Sequence, residues 1–300
     1  MPNIVESKNY TYFELKSAIH TLAEIYPFVS VNSVGKSVLG KELLTLSVGK
    51  GKESVLFCGA FHGSEALTAT LILSFAESLF AALECDGEVA GIRARRVLFD
   101  RKLVFLPMVN PDGCDISVTE RADCGPFSER VKMLSHGDFA HWKANARGVD
   151  INHNFDAGWH QLRQLEIKQG ILGPTPTRYG GERPVSEPET AALVSLCHRE
   201  NFCHVAAFHS QGEEIYWNYG DNFTEKGRRM ATLLSSSSGY TLSEPSEIAS
   251  HGGFKDWFIK EFDRPGFTIE VGKGENPIPV TELDRIYPSV EEMMMLLCIL

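Results

Sequence analysis

The sequence contains no cluster of lysine and arginine. Its formal net charge is -10, and Arg93, Arg95 and Arg96 form only a short local group. Such a surface repels nucleic acid and anionic membranes, so neither is an expected partner. Long hydrophobic runs are missing as well. The longest, "MMMLLCIL" at the C-terminus, falls far short of the roughly 20 residues a membrane-spanning helix needs. The first thirty residues show no basic leader followed by an apolar stretch. The expectation is therefore a cytoplasmic protein without a signal peptide or transmembrane segment. Cys-x-x-Cys pairs are also absent: the cysteines at 58, 85, 114, 124, 197, 203 and 298 are odd in number and scattered. That excludes a disulfide framework and points to reduced thiols. Repeats, low-complexity tracts and linkers are not seen, so residues 1–300 read as one catalytic domain.

What is present is material for a large core. Apolar residues make up 43% of the 300, enough for one continuous interior. Phe13, Leu15, Ile19, Leu22 and Ile25 recur at helical spacing before Tyr26-Pro27. "SVNSVGKSVLGKELLTLSVGK" alternates like two short antiparallel strands. "SVLFCGAF" (54–61) is a continuous apolar run of the kind buried on both faces, and "ALTATLILSFAESLFAAL" behind it reads as a long buried helix. "KLVFLPMV" (102–109) is a further strand, closed by an Asn110-Pro111-Asp112-Gly113 turn. Residues 114–160 are polar and irregular. A helix at 187–200, a strand at 204–208, a helix at 223–238 and a strand at 266–271 complete the series. Strands alternating with helices imply an α/β fold with a mixed, mostly parallel central sheet flanked by helices.

The chemistry-bearing residues sit at strand ends. His62 and Glu65 stand three apart in "AFHGSEA", just after an apolar strand. Alone, the pair is matched by ordinary helix N-terminal residues favoured by the dipole. His209 in "VAAFHSQG" has the same setting, and parallel strands in an open α/β sheet present their C-terminal ends along one edge. Two histidines and a glutamate form a catalytic zinc set with one position left open. In "FTIEV", Glu270 shares a face with Thr268, opposite Phe267, Ile269 and Val271. Arg147, Asn152 and His153 in "ANARGVDINHNFDAGW" offer a polar, anion-binding cluster. Cys114, Cys124, His136 and His141 lack the tight cysteine pair of a zinc knuckle. His198 and His204 read as surface or helix-end residues, and His251 is left open as a site residue.

In this order His62-Gly-Ser-Glu65, Asn110-Pro-Asp-Gly, Gly148-Val-Asp-Ile-Asn152, His209, Gly252-Gly253 with Asp256-Trp257, and Thr268-Ile-Glu270 resemble the zinc metallocarboxypeptidases related to carboxypeptidase A, over residues 30 to 272. "GVDINHNFDAGW", "HSQGEEIYW" and "GGFKDWF" are most similar to the bacterial gamma-D-glutamyl-L-diamino acid endopeptidases, which cut cell-wall peptides. The resemblance implies a carboxypeptidase-like fold and one Zn2+ per chain, held by His62, Glu65 and His209. It implies Glu270 as general base and Arg147 as the group polarising the scissile carbonyl. Asp150 is implied to orient the first zinc histidine, and Asn152 and His153 to grip a substrate carboxylate. The family usually has arginine where His153 stands, and Ile248 replaces a mobile tyrosine. Lys255 falls at the position that sets pocket specificity, where it invites an anion. A diamino acid carries both a carboxylate and an ammonium at its far end, for which Lys255 and then Glu213 or Glu214 are the expected partners. The implied activity is hydrolysis of a murein-derived peptide at the gamma-D-glutamyl-diaminopimelate bond, in peptidoglycan recycling. The alternatives are a carboxypeptidase trimming ordinary C-termini, an aspartoacylase-type deacylase, and a peptide-binding module without activity.

Overall fold

A computed structural model of the chain describes residues 4–244 and 250–300. The expectation for Ile248 lies outside the described residues. Helix α1 (Tyr12–Ile25) opens on a capping box in which the Thr11 amide and hydroxyl both donate to Glu14, and it ends just before Pro27. Strands β1 (Ser30–Lys36) and β2 (Glu42–Val48) form the expected antiparallel hairpin. Strand β3 (Glu53–Gly59) leads to α2 (Leu67–Glu84). A small ribbon of β4 (Glu88–Val89) and β5 (Ile92–Arg93) precedes β6 (Arg101–Leu106).

The next stretch departs from the sequence reading. Asn110-Pro111-Asp112-Gly113 does not merely turn the chain. It starts helix α3 (Pro111–Thr119), because the Asn110 side chain accepts from the Gly113 amide and proline fits the first helical turn. Helix α4 (Ser128–Ser135) lies inside the segment expected to be irregular, and α5 (Trp159–Lys168) begins at its end. Then follow α6 (Pro188–Arg199), β7 (Phe202–His209), β8 (Glu214–Tyr216), α7 (Glu225–Ser238), β9 (Thr241–Leu242), α8 (Phe254–Phe262), β10 (Gly266–Glu270) and α9 (Leu283–Ile299).

Eight of the strands form one sheet in the order β1-β2-β6-β3-β7-β10-β8-β9. The central pairs β6-β3, β3-β7 and β7-β10 are parallel, whereas the pairs β1-β2, β2-β6 and β10-β8 are antiparallel. Alternation along β3 divides the interior. Val55 and Phe57 pack with α1, α2, α7 and α9, while Leu56 and Cys58 pack with α6 and α8. Phe57 stacks on Phe105 at 5.1 Å between ring centroids. The segment Gly63–Glu84 is long and apolar enough to cross a membrane, but 72% of its most apolar 18-residue stretch is buried inside the protein, as befits a core helix.

Candidate active site

The chain leaves β3 towards β6 on one side and returns as β7 on the other, so the sheet reverses its winding between β3 and β7. Open α/β sheets leave a crevice at such a point, beyond the strand C-termini. Four side chains are brought there by adjacent parallel strands. His62 and Glu65 follow β3, His209 ends β7, and Glu270, in register with His209, ends β10.

The corner after β3 is held by its neighbours. The amides of Gly63 and Ser64 donate to the carbonyls of Lys143 and Trp142. A Cβ on Gly63 would lie 2.2 Å from the Gly113 carbonyl oxygen, so only glycine permits this approach. Asn110 binds the two segments together, donating to the carbonyls of Phe61, Lys143 and Ala144. This is why the two separated motifs occur together: each is packed against the other.

Within the corner, Glu65 lies 2.9 Å from His62 Nδ1 through one oxygen and 3.0 Å from His209 Nδ1 through the other. All three offer ligand atoms within 4.8 Å of one another. Asp150 Oδ1 is 3.0 Å from His62 Nε2. As an acceptor it holds a ring proton on Nε2, so that Nδ1, the nitrogen that meets Glu65, is the one available to a metal. Asp150 is itself fixed by the amides of Asn152 and Arg178. Burial pushes His209 below the ordinary histidine range despite Glu65, keeping that ring neutral as a ligand must be. Burial opposes a charge on His62 too, yet the carboxylates of Glu65 and Asp150 outweigh it and raise the ring to about 10. A site this strongly attractive to positive charge, built from two imidazole nitrogens and a carboxylate, fits zinc. Glu270 is pushed up to about 8, by burial first and by Glu65 next.

His62, Asp150 and Glu270 open onto a cavity of about 360 Å³, also walled by Lys143, Asn152, His153, Arg178, Tyr216, Lys255, Asp256 and Thr268. A family model described as zinc carboxypeptidase matches residues 15–295. The chain is 35% identical to gamma-D-glutamyl-L-diamino acid endopeptidase 1 of Lysinibacillus sphaericus, over 93% of this chain and 70% of that one. This chain belongs to the zinc carboxypeptidase family. The fold agrees with solved structures. Bovine thrombin-activatable fibrinolysis inhibitor superposes with a TM-score of 0.74 at 19% identity, covering 97% of each chain. The murein-tripeptide amidase MpaA of Escherichia coli O157 does so with a TM-score of 0.55 at 22% identity, covering 90% of this chain and 92% of that one.

Not every expected residue of this metallopeptidase faces the cavity. Arg147 points elsewhere: its guanidinium lies 3.5 Å from Glu187, in a separate depression lined by Arg130 and Arg183. The cavity-facing cation beside Glu65 is Lys143, 2.9 Å from it and missed in the sequence because a lone lysine carries no signal. Glu65 holds the Lys143 ammonium above its usual range, against the effect of burial. Glu213 is not free for a substrate ammonium, because Lys273 and Arg285 bracket it at 2.8 and 2.7 Å. Glu214 is engaged by the hydroxyls of Tyr216 and Ser243. Lys255 does line the cavity, but Asp256 already pairs with it. Asn152 accepts from the Phe254 amide at 2.9 Å, and His153 lies 2.9 Å from the Arg178 carbonyl and 3.5 Å from Glu166.

Other histidines resolve simply. His204 is a core residue, not a surface one; it contacts the Leu297 carbonyl at 2.7 Å, and burial lowers it to about 3. His198 lies on the surface against Trp257 and Phe262. His251 faces an adjoining cavity that shares Asp256. Among the described residues, Cys114, Cys124, His136 and His141 form no metal group.

Proposed function

We propose that this chain hydrolyses murein-derived peptides at the bond between gamma-D-glutamate and a diamino acid such as meso-diaminopimelate. The observation that carries the reading is the 35% identity, over nearly the whole chain, to an enzyme named for that bond. It is supported by the buried Lys255 in the cavity wall, at the place where an anionic side chain of the leaving residue would end.

In this reading His62, Glu65 and His209 hold one zinc ion, and Asp150 fixes the His62 ring. When bound, zinc supplies Lewis acidity and lowers the pKa of a water to about 7. Glu270 accepts the proton of the attacking water on its carboxylate and passes it to the departing amine nitrogen as the C–N bond breaks. Lys143, in place of the expected Arg147, meets the negative charge that develops on the carbonyl oxygen. Asn152 presents its amide beside the cavity, and Arg178 at the rim supplies a cation for a substrate carboxylate. His153 is a poor anchor for a free C-terminus, since a backbone carbonyl and Glu166 occupy its Nδ1 side.

We read the described residues as one catalytic domain, since a single sheet carries cores on both faces. Seven free thiols, six of them buried, suit a reducing compartment and the turnover of soluble murein fragments. The test is incubation of the zinc-loaded protein with a muramyl tripeptide, with fragments identified by mass spectrometry. Release of free diaminopimelate, and of the diaminopimelate-containing dipeptide when a further residue follows it, supports the reading. Activity confined to unblocked ordinary peptides, or to N-acyl amino acids, overturns it.

A further inference from the structure

Asp256 stands in a wall shared by two cavities. One is the site cavity; the other, about 490 Å³, is bounded by Asn218, Tyr219, Asp221 and His251. Lys255 and Asp256 are only 4% and 2% exposed. The Lys255 ammonium is held by the Asn218 carbonyl and by Asp256 Oδ1, which occupies two of its three N–H groups and leaves one for a ligand. Asp256 Oδ2 takes no hydrogen bond from any described residue. Room for a partner at this oxygen is provided by Gly253, where a Cβ would lie 2.9 Å from it.

Resting on the function proposed above, we propose that Asp256 determines specificity by receiving the distal ammonium of the leaving diamino acid through Oδ2, while Lys255 takes the carboxylate on the same carbon. The other two acidic candidates, Glu213 and Glu214, are already occupied by cations and hydroxyls. A carboxylate and an ammonium on one carbon are a short dipole, and a buried lysine beside a buried aspartate presents the complementary dipole. The ion pair keeps both charges compensated before substrate arrives, which an isolated buried lysine would not be. A side chain with only one of the two charges leaves the other protein group without its counterpart, and buried sites discriminate strongly against such analogues.

The test compares three gamma-D-glutamyl peptides whose leaving residue is meso-diaminopimelate, 2-aminopimelate (carboxylate without the ammonium) or lysine (ammonium without the carboxylate). For the zinc-loaded wild type, kcat/KM for the diaminopimelate peptide exceeds each of the others by about tenfold or more. Asp256→Asn lowers the preference for diaminopimelate over 2-aminopimelate towards one. Because that variant also removes the charge facing Lys255, Gly253→Ala provides a second measurement: its methyl, 2.9 Å from the present position of Oδ2, crowds that oxygen without removing either charge, and the same ratio falls. Product inhibition by free diaminopimelate weakens in parallel in both variants. If the peptides are cleaved but both folded variants keep the wild-type ratio, the role of Asp256 is overturned and the proposed activity stands. If the wild type cleaves none of them, the activity and the role fall together.

Discussion

Glu270 and Glu65 are both carboxylates at the end of a strand or just beyond one, yet their surroundings drive them apart. Glu65 is held well below the usual carboxylate range: burial opposes this, but His62, Lys143 and His209 overcome it. Glu270 is raised, by burial first and then by Glu65. The first suits a ligand and the second a proton carrier. Glu270→Gln should therefore retain zinc by direct metal analysis while turnover falls by about a hundred- to ten-thousand-fold. Near-wild-type turnover would remove Glu270 from the reaction. At the same scale Lys143 and Arg147 exchange expectations. Lys143→Met should lower kcat by about a hundredfold or more, the loss typical of one oxyanion donor. Arg147→Ala, on a side chain 43% exposed and paired with Glu187, should stay within a few-fold of wild type. Steady-state kinetics on both variants decides between them.

Local geometry at the element scale comes from segments that are distant in sequence. The turn after β3 carries two zinc-capable residues, but its shape is set by the carbonyls of Trp142 and Lys143 and by the Asn110 amide. Asn110 caps α3 and also ties Phe61, Lys143 and Ala144 together, with its side chain fully buried. Asn110→Ala deletes the cap and leaves buried carbonyls unpaired, so it should lower the unfolding free energy by about 2–4 kcal/mol. Urea denaturation measures this, and zinc affinity should weaken with it because both Glu65 and Lys143 lose their alignment. The Asn-Pro-Asp-Gly string is visible in the sequence as a turn signal. Its use as a clamp is not, since the groups it holds come from residues 61, 143 and 144.

Over the whole molecule, the metal set joins two strands, β3 and β7, that are not consecutive in the chain. A ligand that binds only the folded arrangement stabilises it by mass action. With zinc at about a thousand times its dissociation constant, the gain is about 4 kcal/mol. Chelation should therefore lower the melting temperature of the wild type and restore it on zinc addition. His209→Ala should bind no stoichiometric zinc and melt at a temperature indifferent to chelator. A zinc-dependent shift in that variant would place the ligand set elsewhere. The test reads the fold as well, because β3 and β7 lie side by side with Gly59 opposite Phe208 in the ladder.

The sequence by itself determined α1, the β1-β2 hairpin, β3, α2, β6, α6, β7, α7 and β10 in their order, the apolar runs of β3, β7 and β10, and His62, Glu65, His209 and Glu270 as candidates at their ends. Those features are local: an apolar run, an alternation or a turn residue declares itself within a few positions. Only the tertiary structure decided which charged groups turn into the cavity. Arg147 and Lys143 are four residues apart on one irregular segment, and no periodicity says which faces Glu65. Likewise Glu213, Glu214 and Asp256 are equally acidic on paper. Lys273 and Arg285 claim the first, hydroxyls the second, and Lys255 only one oxygen of the third. Whether a charge is free depends on what the rest of the chain has packed around it.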